Sequence, residues 1–126
     1  MKVLLVKTNN TVRAVQIFTQ GKNEVPWADL RKLMPGNPES IYLNRISRLA
    51  FLYLMFVDKH AAERPLNKFA TLLLSDPTSA VHGDVVITRT DHLGSGSKLL
   101  ALEDHEIDSI LERLSKYSKT KVTLSK

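Results

Sequence analysis

The sequence predicts a single α+β domain, ordered β-β-α-β-β-α-β and closed by a C-terminal α-helix. Three observations predict it. The chain has 126 residues, the size of one domain. Short apolar or alternating runs rich in β-formers are bounded by turn residues, as strands are. Between and after them lie segments whose apolar residues recur at helical spacing. The sheet is expected to be mixed or largely antiparallel, with the helices on one face. Residues 1–90 are expected to form the core, and 91–126 a flexible connection and an amphipathic helix packed on or extending it.

Val3 to Lys7 reads VLLVK, a buried first strand. Asn9-Asn10 is a turn signal, because asparagine tolerates positive φ. TVRAVQIF then alternates imperfectly but is rich in β-formers, so a second strand and a hairpin follow. In WADLRKLMPG, Trp27, Leu30, Leu33 and Met34 share one helical face while Asp29, Arg31 and Lys32 point outward. Pro26 suits the first helical position, and Pro35-Gly36 the end. SIYLNRI is the third strand, and Ala50 to Val57 the fourth. The fourth is apolar throughout, which places it centrally with both faces covered.

Asn67 caps a short helix carrying Phe69, Ala70, Leu72, Leu73 and Leu74, and Ser75-Asp76-Pro77 ends it. Thr71 can bond back to the Asn67 carbonyl, and Asp84 can receive backbone N–H groups at the turn. As a cap alone, Asn67 is worth about 1 kcal/mol against alanine. Gly83-Asp84 turns the chain into the fifth strand, DVVITRT. The last helix begins near Glu103, with Ile107, Ile110, Leu111 and Leu114 on one face. Its acidic residues lie at the N-terminal end and its basic residues at the C-terminal end, which complements the helix dipole. The tail TKVTLSK frays or adds a short edge strand.

Composition excludes several function classes. With no cysteine, disulfides, thiolate catalysis, Cys-ligated zinc and iron–sulfur clusters are ruled out. No apolar stretch reaches the roughly 18 residues of a membrane span, and no signal peptide is expected at MKVLLVKTNN. The default expectation is a cytoplasmic or intracellular protein without a membrane partner. The net charge is +5 and uneven: residues 1–60 hold nine Lys/Arg against four Asp/Glu, whereas 61–126 hold nine of each.

The residues point to no catalytic, cofactor or metal site. His60, His82, His92 and His105 do not pair at metal-ligating spacing. Gly94-Ser95-Gly96-Ser97-Lys98 lacks the spacing of either phosphate-binding loop pattern. Asp84 and Asp91 flank an extended strand and are too far apart for a paired-acid site. His82 beside Asp84 is the one acid–base arrangement worth placing in the fold, since a carboxylate can orient a histidine base. Arg13, Arg45 and Arg48, with Tyr42 and Tyr53 on neighbouring strands, would suit base stacking and phosphate contact if the sheet were exposed.

Pro65, Asn67, Ala70 and Thr71, followed by Gly83-Asp84-Val85-Val86-Ile87, carry a further signal. This N-x-x-A-T … G-D-V-V-I order resembles a domain-of-unknown-function family of small proteins associated with phages, plasmids and viruses. The likeness spans roughly residues 1–90. It departs at Asp58 to Arg64, which lacks the glycine the family often has there. It implies a small α+β fold and no reaction. The expectation is therefore a non-enzymatic protein-interaction module, of phage or viral accessory type, that contacts another protein through Ile107, Ile110, Leu111 and Leu114 and uses no cofactor. The alternative is a nucleic-acid-binding protein using Arg13, Arg45 and Arg48. Self-association is compatible with either.

Overall fold

Lys2–Val6 (β1) and Val12–Gln16 (β2) pair antiparallel, Lys2 opposite Gln16 and Val6 opposite Val12. The computed structural model describes residues 2–17, 24–34, 36, 38–43, 51–74, 80–91 and 99–125. The hairpin turn is the one expected from Asn9-Asn10. Asn10 is left-handed, with φ 64°, and the Asn9 carboxamide oxygen accepts from the Thr11 backbone and hydroxyl. Short asparagine side chains bond locally and lower the cost of that conformation.

Trp27–Leu33 forms α1, and Pro38–Tyr42 forms β3, two residues earlier than the sequence suggested. Phe51–Asp58 is β4. A 3-10 turn at Ala61–Glu63 leads to Lys68–Leu73, α2. Val85–Asp91 is β5, and Leu99–Leu100 a two-residue β6. Asp104–Ser118 is α3. The sheet order is β2-β1-β5-β4-β3 with every pair antiparallel, and β6 pairs β5. Where β1's register with β5 runs out beyond Leu4–Ile87, β6 takes its place opposite Arg89 and Thr90. The chain is thus α+β with a largely antiparallel sheet and a C-terminal helix. No helix among the described residues is long and apolar enough to cross a membrane.

The helices lie on both faces, not on one. On the first face Leu4, Val6, Tyr53, Met55, Val85 and Ile87 meet Phe69, Ala70 and Leu73 of α2 and Ile107, Ile110 and Leu114 of α3. On the second face Val3, Leu54, Phe56 and Val86 meet Leu30 of α1 and Met34 at its C-terminal cap. The physical reason is the near-continuous apolar character of β1 and β4 and of the Val85-Val86-Ile87 start of β5. A strand with no polar parity needs cover on both sides, and α1 supplies the second cover as it carries the chain from the β2 edge to the β3 edge.

α3 is part of the core, not an appendage. Each of its three buried aliphatic side chains contributes about 1.5–3 kcal/mol on burial. A capping box opens the helix, with Glu103 and Glu106 each bonding the other's backbone N–H. Lys119 closes it in the left-handed region, φ 59°. Glycine takes that conformation without the Cβ clash. Lys119→Gly is therefore expected to stabilise the fold by about 0.5–1 kcal/mol, read as a higher urea midpoint at unchanged slope. The tail after α3 returns to the sheet: Leu124 bridges Val12 in parallel, and Ser125 N–H donates to the Val12 carbonyl at 2.7 Å.

Candidate functional site: an open strand edge beside an apolar cleft

The end of the sheet where β1 and β4 finish and β5 begins is organised by Asn67. Its side chain is fully buried. Oδ1 accepts from Ala70 N–H at 3.0 Å, which is the expected cap. Nδ2 donates to the Val6 and Gly83 carbonyls, both at 2.9 Å, joining the end of β1 to the turn before β5. Thr71 Oγ1 donates back to the Asn67 carbonyl at 2.9 Å and accepts from Val81 N–H at 3.0 Å. Asp84 Oδ1 accepts from Thr8 N–H at 3.0 Å, fastening the first hairpin to the same turn. All three are positioning residues, as their sequence context implied.

His82 and Asp84 do not form an acid–base pair. His82 Nδ1 lies 2.9 Å from the Arg64 carbonyl oxygen, while the Asp84 carboxylate is held by Thr8. His82 instead lines a cleft of about 200 Å³. Its apolar lining comes from Ile41 on β3, Val57 on β4, and Ala62, Ala80 and Val81. Asp58 and Lys59 supply the other polar groups. The Asp58 carboxylate accepts from His60 N–H at 3.0 Å and sits 3.7 Å from the Arg64 guanidinium. It also abuts Gly36, where any Cβ would collide with it. Asp58 is thus engaged in holding loops together.

The cleft adjoins the outer edge of β3. Leu43 N–H donates to the Tyr53 carbonyl at 2.8 Å. In an antiparallel ladder the bonding direction alternates residue by residue. With Tyr42 opposite Leu54, the backbone groups of Leu43, Ile41 and Glu39 face β4, and those of Tyr42 and Ser40 face away. Among the described residues nothing pairs with that side, since the strand order ends at β3. Pro38 has the same outward parity and offers no N–H, which blunts the start of the edge. The opposite edge differs, because the C-terminal tail occupies its Val12 end.

Glu103, His105 and Glu106 are close enough together to suggest a metal site, but the chemistry of Glu106 speaks for a structural role. Glu106 is buried. Its Oε1 accepts from the Arg89 guanidinium at 2.9 Å and from Glu103 N–H at 2.9 Å, and its Oε2 accepts from the Tyr53 hydroxyl at 2.7 Å. Both oxygens are committed to protein donors, and Arg89 is itself buried. This cluster ties α3 to β4 and β5.

The residues expected to meet a partner lie elsewhere than expected. Ile107, Ile110 and Leu114 are at most 2% exposed and Leu111 packs against the same core. Helix α3 spends its apolar stripe on the sheet, so that stripe is no contact surface. Arg13 is exposed on β2. Arg45 and Arg48 lie outside the described residues. Tyr53, placed by the stacking scheme on an open sheet, is buried with its hydroxyl on Glu106. Helices pack on both faces of the central strands, so Tyr53 does not lie on an open sheet. Sequence reading missed the β3 edge, because openness follows from strand order and not from any residue in SIYL. Pro38 immediately before it was the available signal, since proline in a sheet belongs to an edge.

No family model, curated protein or solved structure matches this chain.

Proposed function

We propose that the protein is a non-enzymatic interaction module that binds a polypeptide by adding an extended segment to the outer edge of β3. The observation that carries this reading is the outward-facing backbone of Ser40 and Tyr42 beside the Ile41 cleft. Strand addition uses these two features together: main-chain hydrogen bonds for affinity and a neighbouring pocket for an alternate side chain. Commitment of His82 and Asp84 to separate backbone partners supports the non-enzymatic part. An intracellular setting, in a phage or viral accessory role, belongs to the same proposal and rests on the cysteine-free sequence and the N-x-x-A-T … G-D-V-V-I signature.

Ser40→Pro tests it. Proline there deletes one outward N–H and leaves the ladder with β4 intact, and edge strands tolerate it. In a tagged pull-down with nuclease present, a protein retained by the wild type is expected to be lost by Ser40→Pro. Retention of that protein by the variant overturns strand addition. Partners that vanish with nuclease favour nucleic acid, and with it Arg13 and the basic half of the chain.

A further inference from the structure

We infer that the segment that completes the β3 edge is β3 of a second copy of this chain, paired about a two-fold axis at Ile41. The inference rests on the strand-addition reading and names its occupant.

β3 satisfies its own edge. Two antiparallel copies can pair only where outward backbone groups meet, so even-numbered residues must face even-numbered residues. If Ser40 faces Ser40, Tyr42 falls opposite Pro38, which has no N–H to give, and the Tyr42 carbonyl is left without a donor. If Ser40 faces Tyr42, every outward N–H and carbonyl of both residues is paired, and four hydrogen bonds form across the axis. The proline therefore selects the register. That register sets Ile41 directly opposite Ile41 as a non-hydrogen-bonded pair, the closer of the two kinds of antiparallel pair. Ile41 lines the apolar cleft on its own face of the sheet. The Ile41 of the second copy projects to that same face, against Ile41 at the rim of the cleft, so each copy contributes a side chain to the mouth of the other's cleft. The result is an isologous interface, the kind a two-fold dimer requires.

The chain contains no cysteine, which makes a register-specific test simple. Opposed residues in a non-hydrogen-bonded pair have Cα atoms about 4.5 Å apart, within the span a disulfide bridges. Ile41→Cys is expected to oxidise to a covalent dimer. Glu39→Cys is expected to stay monomeric, because two residues 39 would sit about 13 Å apart along the paired strands. The wild type is expected to show twice the 14.2 kDa of one chain by light scattering at high concentration. Ser40→Pro is expected to show the single-chain mass with its cooperative melt retained.

A wild type that stays at single-chain mass, with no cross-link at Ile41→Cys, overturns the inference. So does a Glu39→Cys cross-link as efficient as that of Ile41→Cys, which means another register, or a dimer that survives Ser40→Pro, which means another surface. If Ser40→Pro fails to fold, the cysteine pair decides alone. A monomeric wild type leaves strand addition by another protein standing; that broader reading falls only if a captured partner is still held by Ser40→Pro.

Discussion

Asn67→Ala is expected to destabilise the fold by about 3–5 kcal/mol, several times the value of a helix cap. Alanine removes the acceptor for Ala70 N–H and both donors to the Val6 and Gly83 carbonyls. Each buried group left without a partner costs about 1–3 kcal/mol. Asn67→Asp separates the two roles. Aspartate is as good a cap as asparagine, so a residue acting only as a cap would tolerate it. Here the carboxylate would face two carbonyl oxygens with nothing to donate, inside a site closed to solvent. Asn67→Asp is therefore expected to be at least as damaging as Asn67→Ala in urea unfolding. A near-neutral Asn67→Asp would return Asn67 to an ordinary cap.

Glu106→Ala carries the second large effect, an expected loss of about 3–5 kcal/mol. It removes the carboxylate 2.9 Å from the buried Arg89 guanidinium, and removing one partner of a buried pair costs about that much. It also strips the Tyr53 hydroxyl and Glu103 N–H of their acceptor. Replacing the whole cluster at once is a different matter, because well-packed apolar residues often match or exceed a buried ion pair. The triple variant Tyr53→Phe/Arg89→Met/Glu106→Leu is expected to recover most of the stability lost by Glu106→Ala. If the triple variant is as unstable as the single one, the cluster contributes net stability and not merely a penalty when broken.

Local features of this fold were legible and long-range ones were not. The turn at Asn9-Asn10, the Asn67 cap, the Thr71 back-bond and the role of Asp84 depend on a few neighbouring atoms, and the residue types announce them. The second half of Asn67's work is invisible locally, because Val6 lies 61 residues away. β6 is two residues long and shows no period to read. Glu106 looked like one more acid at a helix N-terminus. The signal was its position four residues before Ile110, on the stripe that faces the sheet, where an acid needs a buried partner. The apolar spacing of α3 marks a face, but that face is buried against the sheet and is no surface. Periodicity shows that a stripe will be covered; only the strands beneath it decide by what.

The strand order also sets a timetable for the chain as it is made. β1 comes first and pairs at once with β2, yet its other neighbour is β5. Roughly 70 residues must be added between β2 and β5, about 4–15 s of synthesis at common ribosomal rates. Through that interval the first hairpin waits with an apolar face and a bare flank, and the central strand of the finished sheet cannot be seated. The nascent chain therefore exposes this flank from the outset, and a chaperone shielding residues 2–17 would act at the step where the topology leaves them alone.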